Sequence, residues 1–166
     1  KLARGAAPGL AERWIRSRLN ATAGAVRKAL DGYRFNDAAS AIYQFLWHEF
    51  CDWYLEIAKR ALYAADAPAE RARTQQTLVE VLEATLRLLH PFMPFITEEI
   101  WQRLPHRGAS IMVAPYPRPS RTKADPAAER DMQPIIGIIS AVRNIRSESR
   151  VPPSVELTVT VKPASK

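Results

Sequence analysis

The side chains able to do chemistry in this 166-residue sequence are few, and their spacing does not suit catalysis. The carboxylate pairs Glu98-Glu99 and Asp52-Glu56 have the right type for acid-base work. Both fall on helical faces rich in arginine, where such pairs read as solvated or ion-paired charges. His48 and Cys51 have no second ligand pair at zinc spacing, and His90 and His106 lie apart from them. Only six glycines occur, none clustered, so there is no glycine-rich phosphate loop. No catalytic residue and no metal ligand is expected in this segment.

Other residues suit a polyanion better. Arg34-Phe35 falls at a turn just ahead of Asn36, a good helix cap, so a cation and a ring project together beside exposed backbone N-H groups. An unpaired base with its phosphate needs that combination. Phe35 has a second reading as a hydrophobic staple packed under the helix start. Arg143, Arg146 and Arg150 recur on one flank of a helix, able either to track phosphates or to pair with carboxylates such as Glu98 and Glu99.

The elements that position these residues are helical. From Leu10 to Asp31 the residues Ala11, Ile15, Leu19, Thr22, Val26, Ala29 and Tyr33 recur at helical spacing, with Gly32 as the stop. A second helix starts at Asn36 or Asp37 and runs to about Ala64. Its stripes are Ala39, Ile42, Leu46, Phe50, Trp53, Ile57 and, beside them, Tyr43, Trp47, Cys51, Tyr54, Ala58. Apolar on two sides, it is the expected central helix of a bundle, with Leu46, Phe50 and Trp53 buried.

Pro68 opens a third helix that breaks near His90-Pro91, and a fourth runs from Pro94 to Leu104. A proline-rich connection over 105–124 leads to a fifth at Asp125-Pro126, with Met132, Ile135, Ile139, Val142 and Ile145 inward and Pro152-Pro153 closing it. Val155, Leu157, Val159 and Val161 alternate with polar residues as a strand does. Such a strand either pairs with Ser110-Val113 or awaits chain beyond this fragment. The expected fold is all-α, a bundle of about five helices over 1–150 with a short C-terminal strand opening a truncated segment at 151–166.

Composition agrees. With 47% hydrophobic residues the chain can bury a core, and a single cysteine, with no signal-like N-terminus, suggests a reducing, cytoplasmic setting. No apolar run approaches the roughly 20 residues of a bilayer span. The net charge of +7 is uneven: residues 1–40 and 105–166 each carry +5, whereas 41–104 carry -3. Eighteen of the 24 basic residues are arginine, whose planar fork matches phosphate and stacks on bases. A GC-rich genome would also raise Arg and Ala without any functional cause.

Three stretches together resemble a known family. They are Tyr33-Arg34-Phe35-Asn36-Asp37-Ala38-Ala39, the run Trp47-His48-Glu49-Phe50-Cys51-Asp52-Trp53-Tyr54-Leu55-Glu56 with Lys59, and Leu89-His90-Pro91-Phe92-Met93-Pro94-Phe95-Ile96-Thr97-Glu98-Glu99-Ile100-Trp101. They are similar to the helical anticodon-binding domain of class I aminoacyl-tRNA synthetases. The His-Pro-Phe-Met-Pro-Phe corner is common to several members. The Phe-Cys-Asp-Trp-Tyr-Leu-Glu run and the segment from Arg143-Asn144-Ile145-Arg146 to Pro152-Pro153 resemble the valine-specific branch, and the resemblance spans Trp14 to about Ser154.

The resemblance implies a tRNA anticodon-recognition module of a valine-tRNA ligase, working as a monomer away from membranes. ATP and Mg would act in a separate catalytic domain, whose His-x-Gly-His and Lys-Met-Ser-Lys-Ser signatures do not occur here, and this segment itself would bind no cofactor. The implied tRNA contacts are Arg34, Phe35, Asn36 and Ile96 at the anticodon loop, with Arg16 or Arg18 on phosphates and Arg143 and Arg146 as further basic contacts. Valine tRNAs share A and C as second and third anticodon bases, so those two should be preferred. The competing readings are a helical protein-interaction module with a generic basic surface, and the same domain of an isoleucine-tRNA ligase.

Overall fold

Helix α1 (Leu10–Asp31) forms where the apolar spacing places it, with Glu12 in its first turn and Lys28 in its last, both favourable to the helix dipole. A computed structural model describes residues 7–64, 66–152 and 154–162. Ile15, Thr22, Val26 and Ala29 are buried as the periodicity requires, joined by Trp14 and Ala23. Tyr33 is not. Its backbone turns to φ +57° beyond the Gly32 stop, which takes it out of the helical phase and leaves the ring 82% exposed.

The second helical rod is continuous but not uniform. Helix α2 (Phe35–Tyr43) passes without a break into a π-helical stretch, π1 (Gln44–Leu55), and then into α3 (Glu56–Tyr63). The wider i→i+5 turn shifts the buried face. Phe45, on neither stripe of an α-helical reading, is buried with Phe50 and Tyr54, whereas Tyr43 and Trp47 stack on each other in solvent, centroids 6.4 Å apart. Leu46 and Trp53, expected to be buried, are only half-buried against the same cluster, and the helix that packs against this rod and against both Pro68–Leu89 and Pro126–Glu148 is α1.

Helix α4 (Pro68–Leu89) carries Pro at its first turn, runs beside α1 and ends at His90. The corner that follows is built from side chains. Thr97 Oγ1 donates to Met93 O at 2.8 Å, so the 2.7 Å contact with His90 Nδ1 has that nitrogen as donor. Helix α5 (Pro94–Gln102) then buries Trp101, whose Nε1 donates to Glu83 of α4 at 2.8 Å while His106 stacks on the indole. Helix α6 (Pro126–Glu148) is capped by Asp125, which accepts from Ala128 N, and packs along α1.

Among the described residues Trp101 of α5 packs in a small cluster with Leu86 and Ile111, and the other four rods share two main clusters. One surrounds Trp14, Ile15, Phe45, Phe50, Tyr54, Val81 and Met132; the other joins Ala23, Val26, Ala29, Ala38, Ile42 and Leu88. Charged clasps hold the rods in register. Arg18 of α1 donates to both oxygens of Glu49 in π1, at 2.7 and 2.9 Å, and to Glu129 of α6 at 3.2 Å. Buried Glu12 takes Arg73 Nε at 3.3 Å and Thr74 Oγ1 at 3.1 Å from α4.

Two expectations need correction. No strand forms over 154–162, where Val155, Leu157, Val159 and Val161 are all exposed. The backbone of a lone strand has nothing to bond. Its candidate partner, Ser110-Val113, is instead a 3-10 turn whose Ile111 packs against Trp101. The far half of α6 is also less covered than its pattern suggests. Met132 is buried, but Ile135 is exposed and Ile145 is 61% exposed. Pro153, half of the expected closing pair, lies outside the described residues.

Candidate nucleic-acid interface

The corner between α1 and α2 is closed by backbone bonds: Arg34 N donates to Ala29 O at 2.8 Å and Ala38 N to Arg34 O at 3.1 Å. Arg34 is therefore the N-cap, and the helix begins at Phe35, earlier than the Asn36 or Asp37 cap expected from residue type. Asn36 does not cap, and its side chain is exposed. Phe35 is 56% exposed and meets Tyr33 edge to face, centroids 6.5 Å apart. A staple would lie under the helix start; this ring stands on its rim.

Arg34 reaches Asp37 across one turn at 3.4 Å, with both side chains more than half exposed. Such a pair contributes only about 0–1 kcal/mol. The guanidinium can therefore exchange Asp37 for a phosphate at little cost. The N-terminal N-H groups of α2 point out of the same corner.

The second corner, at the start of α5, sits over the same cluster. Phe92 packs with Ala29, Ala38 and Leu88, while Phe95 is 90% exposed and Met93 and Ile96 about half. One end of the bundle thus presents Tyr33, Phe35, Met93, Phe95 and Ile96 to solvent beside the exposed Arg34. Isolated exposed apolar residues are ordinary; several on two corners over one core mark a contact surface.

The remaining candidate residues lie elsewhere. Arg16 Nε and Nη2, in the second turn of α1, both reach Glu80 Oε2, at 3.1 and 2.9 Å. Arg18 is the three-rod clasp described above. Its hydrogen bonds with Glu49 are the main reason its pKa is raised above the usual arginine value, against the opposing effect of burial. Arg143 lies over Trp53, 4.9 Å from the ring, and Arg146 Nη2 donates to Pro152 O and Val155 O at 2.5 and 2.9 Å. Glu98 and Glu99 are engaged by Ser110, Ile111, Gln102 and Arg103, not by α6. The structure groups Arg34, Phe35, Asn36 and Ile96 at one end and leaves Arg143 over Trp53 and Arg146 on the backbone after α6, toward the other.

Tyr33 was absent from the sequence-derived set because its spacing put it on the inward stripe of α1. The signal against that was Gly32, since a residue following a glycine stop no longer keeps the helical phase. No group of three His, Cys, Asp or Glu side chains among the described residues could hold a metal ion. No helix among them is long and apolar enough to cross a membrane.

Comparison with known proteins bears on this surface. Residues 12–161 match the family model described as the anticodon-binding domain of tRNA ligase. The chain is 46% identical over 153 residues to the valine-tRNA ligases of Geobacillus kaustophilus and Bacillus licheniformis, covering 92% of this chain and 17% of each relative. It is 48% identical over 145 residues to that of Carboxydothermus hydrogenoformans, covering 87% of this chain and 16% of the relative. The chain thus spans about a sixth of the length of the relatives it matches.

Proposed function

We propose that this chain, which belongs to the family of anticodon-binding domains of tRNA ligases, reads the anticodon of valine tRNA within a longer valine-tRNA ligase. The observation that carries the reading is the exposed Tyr33-Arg34-Phe35-Asn36 corner beside Phe95 and Ile96. Bases splayed from the anticodon loop stack on Phe35 and against Ile96, the Asn36 amide offers a donor and an acceptor to a base edge, and Arg34 takes the adjoining phosphate. The corner is held by main-chain bonds to Ala29 and Ala38, so its groups are set before RNA arrives.

The names of the relatives support valine as the amino acid, and the preferred second and third anticodon bases are then A and C. Aminoacylation, with its ATP and Mg, belongs to the catalytic part of the longer protein, and this segment positions the tRNA for it without a cofactor of its own. The domain acts as a monomer in the cytoplasm. Arg143 and Arg146, remote from the corner, would meet tRNA at a separate point.

The test is the affinity of the chain for a valine anticodon hairpin, by fluorescence anisotropy, against the same hairpin with its second anticodon base changed from A to G. A drop of roughly tenfold or more, equivalent to about 1.4 kcal/mol, is expected. Equal affinity for both hairpins overturns anticodon reading.

A further inference from the structure

The proline-rich connection is not a slack loop. Tyr116 OH donates to Leu88 O at 3.1 Å, Pro119 lies against Gly24, Ser120 N donates to Asn20 Oδ1 at 2.8 Å, Asp125 N to Ser17 Oγ at 2.8 Å, and Asp125 pairs with Arg13 at 3.6 Å. The α1 partners 24, 20, 17 and 13 step back one turn at a time along a single face. Residues 116–125 therefore form a strap laid antiparallel on α1 over about 16 Å, at 1.5 Å per helical residue.

Arg118, Arg121 and Lys123 of the strap are all exposed, and none of the three has an ion pair or hydrogen-bonded side-chain partner among the described residues. They contrast with Arg16, Arg18, Arg34, Arg73 and Arg87, each paired with a carboxylate. The strap also borders a cleft of about 430 Å³ whose charged lining is Arg13, Arg16, Arg87, Arg118 and Lys123 against Glu80 and Asp125. Arg118 and Lys123 line this cleft together with Arg13, Arg16 and Arg87, whereas Arg121 does not, so the three strap cations are not gathered in one pocket as a site for a single small anion would require. They match a polymer with regularly spaced charges.

We propose that this strap is a seat for the phosphates of the anticodon stem, continuous with the base-reading corner. From Gly24, where Pro119 rests, to Ala29, which anchors Arg34, is about 8 Å of helix. An RNA hairpin whose loop lies on the corner can thus lay one strand of its stem along Arg118, Arg121 and Lys123. The proposal rests on the anticodon reading above and adds a sequence-independent grip to it: the corner selects, and the strap holds.

The experiment compares the native chain with the triple variant Arg118→Gln, Arg121→Gln, Lys123→Gln, using two probes: the full anticodon hairpin and the loop sequence alone as a single strand. The replaced side chains hold nothing in the fold, so the melting temperature stays unchanged and reports folding. Loss of three duplex phosphate contacts lowers the log-log salt slope for the hairpin by about 2.7, so the native advantage shrinks about fortyfold between about 50 and 200 mM salt. Loop-alone binding stays within about twofold of native.

Equal salt slopes for the two proteins on the hairpin overturn the proposal. So does an equal loss on loop and hairpin, which would mean a diffuse field, or displacement of the hairpin by millimolar inorganic phosphate, which would mean a small-anion site. Failure of the native chain to bind either probe overturns the anticodon reading itself, and the strap with it. Native binding that depends on Phe35 but not on the strap overturns only the strap.

Discussion

Replacing Phe35 with alanine separates a base platform from a packing residue, because the two roles predict opposite pairs of numbers. Phe35 is 56% exposed. A phenylalanine covers about 200 Å² when fully buried, so less than half of that is removed from water here, and part of the loss is retained by the alanine. At about 25 cal/mol/Å² the stability cost is on the order of 1 kcal/mol, a fall of about 2–4 °C in a domain of this size. Base-aromatic stacking contributes about 1–3 kcal/mol, so hairpin affinity falls roughly ten- to a hundredfold. A buried staple would instead cost about 3–5 kcal/mol of stability and leave the affinity of the folded fraction alone. Thermal melts by circular dichroism and hairpin titrations by anisotropy read both quantities on one protein. Phe35→Leu, which keeps apolar bulk but removes the ring face, should melt near the native temperature and bind as weakly as Phe35→Ala. A melt lowered by more than about 10 °C with native affinity would refute the platform.

Other expectations follow from the clasps and the shifted groups. Arg18→Leu strands Glu49 and Glu129 at a three-rod junction and should lower stability by about 2–3 kcal/mol, read as a shift in urea midpoint; a change under 0.5 kcal/mol would remove Arg18 from the scaffold. Glu98 is held below the usual carboxylate range, first by Gln102 and then by Ser110, so its folded pKa lies under its unfolded one. Its contribution is therefore present above the ordinary carboxylate pKa and lost as pH falls through the folded value. The melting difference between native and Glu98→Gln should be full at neutral pH and vanish in acid, and a difference unchanged down to the lowest foldable pH would contradict this. Burial, and then Asp52, push the Cys51 thiol up, so at mildly alkaline pH it should alkylate more slowly with iodoacetamide than free cysteine does, and equal rates would show the thiol to be unshielded.

Most of the architecture was legible because helical signals in this chain are redundant. Pro68, Pro94 and Pro126 each sit in the first turn of a helix, and Gly32 ends α1 where the apolar spacing stops. What escaped sequence reasoning depended on hydrogen-bond register. A change from i→i+4 to i→i+5 inside an aromatic-rich rod leaves no residue-type signature, so Phe45 could not be placed in the core, nor Trp47 outside it. The valine and leucine alternation after Pro153 is a valid strand signal, but a strand is a property of pairs, and one chain segment cannot supply its own ladder. Ile135 and Ile145 show the same limit, since an apolar stripe states that a face prefers cover without stating where the cover is.

The candidate site was legible in its residue types and only partly in its geometry. Arg34 and Phe35 could be nominated because a cation, a ring and a helix start coincide in sequence. Arg18 could not be distinguished from them, since an arginine that holds three helices together and one that waits for phosphate look alike until their partners are known. The difference is energetic. Arg34 holds one exposed carboxylate worth about 1 kcal/mol at most, which a phosphate can replace. Arg18 donates three charge-assisted bonds to two carboxylates on different rods, and drawing it to RNA would leave both behind in a partly covered junction. Which arginines an RNA could engage is thus set less by where they occur than by which of them the fold has left cheap to move, and Arg34 and the strap cations, on the reading proposed above, are among those.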